Sequence, residues 1–328
     1  MKNLIFLAIF ALVFSACSTK RQYFEPTNIS GDAKISSLNA SIKHSTRNGA
    51  TLSNGTLITQ NGLQSKALSA NEYFLGSYEG QDVSSTIEGK LTIRQGSALV
   101  FEHQFDEAIV SASIEGNRLA ALSAANKIYL LLIDTNEVIL EYASGASYAQ
   151  DARTAAPVFL NTIIVYPTLD GKVMIVQKDS GTIVRDAVVS SENFFNNIIY
   201  LDVEGDYLYA ATGTRILSIS PDRTTTIAEQ IKDIKLHNGR IYALLKNGFI
   251  KVYDLKLREI NKREFKFAIF SNIIARGDKL YIFEKTGYII ETDLNLGNER
   301  ILKASEITDK SFASSNAFYY DNKMISIE

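Results

Sequence analysis

The sequence contains no tryptophan, one cysteine, three histidines and four prolines in 328 residues. Each shortage excludes something. With Cys17 alone, neither an internal disulfide nor a thiolate cluster can form. The histidines, His44, His103 and His237, stand far apart with no cysteine beside them, so metal-ligand spacing is absent and they read as surface or strand-end residues. A formal net charge of −2 offers neither a nucleic-acid groove nor a polybasic membrane face. There is no Gly-x-Ser-x-Gly elbow, Walker-type loop or dinucleotide fingerprint. Without a convergent set of histidines and carboxylates, the expectation is a protein that is not an enzyme, with no catalytic, cofactor-binding or metal-binding residue and no cofactor.

What the chain does have is β-forming and turn-forming residues. Tyr (16), Phe (17) and Gly (19) are plentiful, which with so little proline fits an all-β chain with glycine-rich turns. The pattern is plainest in Asn238–Asp254, where the apolar runs Ile241–Leu245 and Phe249–Tyr253 meet at Asn247–Gly248. Asn-Gly supplies the positive φ of a tight hairpin turn. The same plan recurs in Gly116–Asp134, Asn161–Asp179, Gly205–Ser220 and Gly277–Asp293. Leu119, Ile163, Leu208, Ile241, Leu280 and Phe318 hold equivalent places, 33 to 45 residues apart. A short run precedes each hairpin and a more charged run follows it, making four strands per unit. That is the signature of propeller blades. The hairpin runs are apolar on both faces, as strands sandwiched between neighbouring blades must be.

These features predict a β-propeller of four-stranded antiparallel blades, with eight favoured and seven the alternative, since residues before 105 are crowded with turn signals. Three of those signals are Asn48–Gly49, Asn54–Gly55 and Asn61–Gly62. The last unit, Ser311–Glu328, is a strand short, so a run within Tyr23–Leu38 is expected to close the ring. Gly76–Gly89 and Ala143–Ala156 read as rim loops, and Asp151, Arg153 and Arg215 as exposed rim contacts. Asp134, Asp179, Asp222, Asp254 and Asp293 recur once per blade; they either ring one face as ligands or, the favoured reading, cap the third-to-fourth-strand turn. Tyr129, Tyr166, Tyr209, Tyr242, Tyr253, Tyr281 and Tyr288 are expected in the core rather than along a binding channel.

At the N-terminus, Lys2 precedes the apolar run Leu4–Phe14, the size of a signal-peptide core and shorter than the roughly 20 residues of a membrane span. Phe14-Ser15-Ala16-Cys17 then resembles the lipobox of bacterial lipoproteins, with Phe14 in place of the usual Leu. The resemblance implies removal of residues 1–16, acyl chains such as palmitate on Cys17, and a lipidated tether over 17–30 leading into a single propeller domain over 31–328. Ser18 rather than Asp after the cysteine implies the outer membrane. Several acyl chains make a stable anchor where one does not.

Asp170-Gly171-Lys172-Val173 through Asp179-Ser180-Gly181-Thr182 resembles the pyrroloquinoline-quinone-type propeller repeat. The tryptophan that commonly ends that repeat is missing throughout, which argues against the quinone-dependent dehydrogenases. A lipobox followed by such a propeller is similar to the BamB-like lipoproteins of outer-membrane β-barrel assembly. That resemblance implies a non-enzymatic scaffold on the periplasmic face of the outer membrane, docking through rim loops on POTRA domains like those of BamA. The alternatives are a periplasmic propeller enzyme and a glycan- or ligand-binding lipoprotein.

Overall fold

A computed structural model describes residues 22–148 and 151–327. Cys17 and the segment read as a signal peptide lie outside the described residues. Among the described residues there is no helix, and the strands form eight four-stranded antiparallel sheets. These are the blades of a β-propeller: blade 1 spans 42–67, blade 2 72–104, blade 3 109–143, blade 4 158–188, blade 5 200–228, blade 6 231–264 and blade 7 270–303. Blade 8 combines 311–326 with 35–37.

The local chemistry follows the sequence closely. In blade 6, Arg240–Leu245 pairs with Phe249–Asp254 across Asn247–Gly248. Gly248 sits at φ 85°, and a Cβ there would lie 2.6 Å from the Phe265 carbonyl oxygen. Successive residues of the first of these strands then point to opposite sides. Tyr242 and Leu244 pack with Ile273, Leu280 and Ile282 of blade 7. Ile241, Ala243 and Leu245 pack with Tyr209, Ala211 and Ile216 of blade 5. The core is therefore a ring of interblade layers, and the apolar density of the hairpins is accounted for.

Two complete blades precede residue 105, which fixes the number at eight. The three Asn-Gly pairs mark the three turns of blade 1. The stretch Gly76–Gly89 differs from its reading as a rim loop. Glu72–Tyr78 and Gln81–Thr86 pair as a hairpin that turns at Glu79 and Gly80, with φ 51° and 79°. Val83, Ser84 and Ser85 are buried there, so small polar side chains occupy a core strand and conceal it from hydrophobic periodicity. Ser84 is satisfied by an Arg94 guanidinium N–H at 3.3 Å.

The ring closes through the N-terminal region, as the incomplete last unit requires. Ile35–Ser37 pairs antiparallel with Lys323–Ser326, matching Ile35 to Ile325. The preceding residues hold on as well. Gly31 accepts from the Lys303 amide at 2.9 Å, and Phe24 packs edge-on against Phe265 and Tyr288, with centroids 6.1 and 5.6 Å away.

Candidate functional site

Antiparallel four-stranded blades put the first and third turns at one end and the second turn, with the connection to the next blade, at the other. Of the connections between blades, 144–157 and 189–199 are the longest, and they adjoin one another around blade 4. Polar side chains bind them together. The Asn197 amide donates to the Asp151 carbonyl at 2.9 Å and to Thr154 Oγ1 at 2.8 Å, and its Oδ1 accepts from the Asp151 N–H at 2.8 Å. Asn196 donates to the carbonyls of Asp170 and Ser190. Asp170 accepts from Asn126 at 3.0 Å, Ser144 Oγ at 3.0 Å and the Gly145 N–H at 3.1 Å. The approach is so close that a Cβ on Gly171 would fall 2.2 Å from Asn196 Nδ2.

This rigid base displays aromatic rings to solvent. Tyr148, Phe194 and Phe195 are 74%, 62% and 61% exposed. The Tyr148 and Phe194 rings stand 6.2 Å apart. Ile87, Phe267 and Ile269 are exposed in turns at the same end. Phe195 also has φ 52°, which is uncommon for a bulky residue and costs of order 1 kcal/mol. Burying such rings against a partner is favourable, whereas water gains nothing from them. Phe195→Gly is accordingly expected to stabilise the fold by about 0.5–1 kcal/mol in urea unfolding, by relieving the backbone, while weakening any partner held on this face.

The channel along the propeller axis is crossed by charged side chains. Arg47, in the first turn of blade 1, reaches Asp233 on the first strand of blade 6 at 2.5 Å and donates to the Ile234 carbonyl at 2.8 Å. Its guanidinium lies 5.1 Å from the centroid of the Tyr200 ring in blade 5. Asp233 is 3% exposed and also accepts from the Ile273 N–H at 3.1 Å. Arg153 forks onto Asp151, with Nε to Oδ1 at 2.9 Å and Nη2 to Oδ2 at 2.6 Å, and its Nη1 donates to the Lys232 carbonyl. Asp151 and Arg153 are therefore partly buried and paired with each other on one loop, from which Arg153 reaches blade 6; they are not the exposed rim contacts expected from sequence. Arginine so close to a loop aspartate prefers the bidentate pair to open water. Arg215 is exposed, as expected.

Burial would raise the carboxyl pKa of both aspartates. Arg153 outweighs this at Asp151 and brings it down to about 2; Arg47 and Arg153 hold Asp233 below the usual range. Groups more acidic folded than unfolded stabilise fully above their unfolded pKa near 4, and that contribution disappears as pH falls through the folded values. Urea midpoints should therefore drop between about pH 4 and pH 2. Asp151→Asn should remove about 1–2 kcal/mol of that dependence, allowing for its partial exposure.

The remaining residues singled out in the sequence are dispersed. His44 lies 5.5 Å from the Tyr73 ring, with its pKa lowered by burial and by Lys43 and Lys310. His103 bonds Asn136 at 2.7 Å and His237 the Gly277 carbonyl at 2.8 Å. Among the described residues no group of three or more His, Cys, Asp or Glu could hold a metal ion. The repeated aspartates all stand where the third strand gives way to the fourth: Asp254 and Asp293 end their third strands, and Asp134, Asp179 and Asp222 lie in the turn. Asp254 accepts from the N–H groups of Lys256 and Arg258, and Asp293 from those of Asn295 and Gly297, as turn caps do. Asp179 instead accepts from Arg118 at 2.6 Å. The tyrosines are buried in interblade layers, Tyr288 partly so. The first of the two connections, 144–157, coincides with the rim loop expected over Ala143–Ala156, whereas 189–199 carries only a faint mark in the sequence. Its signal was Phe194-Phe195 set between polar residues, Ser190-Ser191-Glu192-Asn193 and Asn196-Asn197.

No protein-family profile matches the chain. The plasminogen-binding protein PgbB of Helicobacter pylori is 31% identical in strain J99 and in strain 26695, over 380 aligned residues covering 98% of this chain and 70% of the relative. Among solved structures, BamB from Moraxella catarrhalis has a TM-score of 0.68 at 15% identity, covering 89% of this chain and 98% of that one. The C-terminal WD40 domain of Sif2 has a TM-score of 0.67 at 14% identity, covering 92% and 100%. At such identities the structural likeness speaks for the propeller fold alone.

Proposed function

Because the chain belongs to the family of PgbB, the plasminogen-binding protein of Helicobacter pylori, we propose that it is a protein-binding propeller of the cell envelope. The observation that carries this reading is the preorganised aromatic face of Tyr148, Phe194 and Phe195 on the bound pair of loops. Binding energy at protein interfaces concentrates in a few aromatic and arginine anchors held on a rigid base. The propeller acts without catalysis, and a lipidated Cys17 holds it at the outer membrane. Plasminogen is the first partner to test, given the name of the relative. Assembly of outer-membrane β-barrels through POTRA domains is the second reading, which rests on the lipobox-like Phe14-Ser15-Ala16-Cys17 ahead of a propeller of the fold that BamB from Moraxella catarrhalis shares.

Both readings share one experiment. The soluble chain, immobilised without its lipid, is titrated with plasminogen and, separately, with POTRA domains. Saturable binding of plasminogen is the expected result. Saturable binding of POTRA domains alone transfers the function to barrel assembly, and binding of neither overturns the proposal. The two readings also place the propeller on opposite faces of the outer membrane, since plasminogen is met outside the cell. Protease treatment of intact cells separates them: digestion of the propeller fits the first, protection the second.

A further inference from the structure

In blade 6 the innermost strand, Ile231–His237, sends Ile234 and Leu236 into the layer shared with blade 5. Asp233 and Lys235, of the opposite parity, lie on the blade 7 side and line the cavity there. Four cations gather there, Arg47, Arg153, Lys232 and Lys235, against the carboxylates of Asp151, Asp202 and Asp233. Every carboxylate is engaged. Asp151 takes Arg153, Asp233 takes Arg47 and the Ile273 N–H, and Asp202 takes the Tyr200 hydroxyl at 2.8 Å and the Val203 N–H at 2.9 Å. The arginines are engaged by the same contacts and by the Ile234 and Lys232 carbonyls. Within this cluster only the ammonium groups of Lys232 and Lys235 have no hydrogen-bond or ion-pair partner among the described residues.

Beside Lys235 the channel widens into a cavity of about 140 Å³, lined also by Arg47, Arg153, Asp233, Asn272 and Ser311. The Oδ1 of Asn272 already accepts from the Ser271 and Ser311 hydroxyls, at 2.8 and 3.0 Å, which leaves its Nδ2 as a donor. A space of that size holds about four waters or one ion of four or five heavy atoms. Partly buried ammonium groups without a counter-charge are costly, and an anion that desolvates with them removes the cost. Both lysine pKa values are indeed depressed, by burial first and then by Arg153 for Lys232 and Arg47 for Lys235.

We propose that the channel cavity binds a small oxyanion, a phosphate group in the first instance, between the Lys235 ammonium and the Asn272 amide, with Lys232 and the two arginines supplying the surrounding positive potential. The cavity adjoins the docking face, since Arg153 of the 144–157 connection lines it, but the exposed rings Tyr148, Phe194 and Phe195 take no part in it. It gives the propeller a ligand that bridges blades 6 and 7 from the inside.

The test is thermal unfolding of the soluble chain in sodium phosphate against sodium chloride of equal ionic strength, with glycerol 1-phosphate as a second arm. Phosphate at about ten times its Kd should raise Tm by about 2–4 °C over chloride. The rise should vanish in Lys235→Gln and persist in Lys235→Arg. A response to inorganic phosphate alone assigns a free ion, and one to glycerol 1-phosphate as well assigns an esterified group; both support the site. Line broadening of the ³¹P resonance of phosphate by the unmutated chain gives a readout independent of any variant. No phosphate-specific rise, no broadening, or a Lys235→Gln variant that responds like the parent overturns the proposal.

Discussion

A chain beginning at Asn39 is expected to lose cooperative folding, while one beginning at Gln22 keeps it. The shorter chain lacks Phe24, whose ring fills a gap between Phe265 and Tyr288, and Leu38, which is buried between blades 8 and 1. It lacks the strand Ile35–Ser37 and leaves Lys323–Ser326 as an open edge with Ile325 beside it. It also loses the Leu38 N–H donation to the Asn322 carbonyl at 2.7 Å. Removing one buried Phe and one buried Leu each costs about 2–5 kcal/mol, and typical net stability is about 5–15 kcal/mol. The open edge is then free to pair with other chains. Circular dichroism melting and gel filtration read the result. Loss of the sharp transition, or elution as aggregates, is expected for the shorter chain. A melt matching that of the 22–328 chain would mean that blade 8 is complete without its N-terminal strand.

The second large effect concerns binding. Replacing Tyr148, Phe194 and Phe195 together by alanine should weaken partner binding by at least 100-fold, since two or more aromatic anchors at about 2 kcal/mol each exceed that factor. Stability should change little, because all three rings are largely exposed and their supporting contacts come from Asn196, Asn197 and Asp170, which remain. A triple variant that binds as before, with an unchanged melt, would locate the contact elsewhere. Breaking the support instead, with Asn197→Ala, should damage both properties at once, and so distinguishes an anchor from its scaffold.

The propeller was legible in the sequence because its blades are built from local pairings. Asn247–Gly248 announces one hairpin, and five further hairpins repeat it at a spacing the chain keeps from residue 116 onward. The closing strand followed from a missing strand in the last unit rather than from its own weak pattern, Ile35-Ser36-Ser37. Gln81–Thr86 was hidden because Ser84 and Ser85 are buried without being apolar. The site was harder to read, and for a physical reason. Whether Arg153 meets solvent or crosses the channel depends on Asp151 beside it and on blade 6, some eighty residues on. The aromatic face likewise needs two connections, 144–157 and 189–199, brought together by Asn197 and Asp151. Periodicity reports on neighbours along a strand; it carries no information about which loops meet above a ring.

A partner that docks on the propeller is expected to cover those two loops. Amide hydrogen exchange of the chain, free and saturated with its partner, tests this directly. Protection is predicted at 144–148, 151–157 and 189–199, with the outer strands Val138–Ala143 and Ile183–Val188 unchanged. Protection confined to those outer strands, or to the turns at the opposite end of the blades, would contradict it.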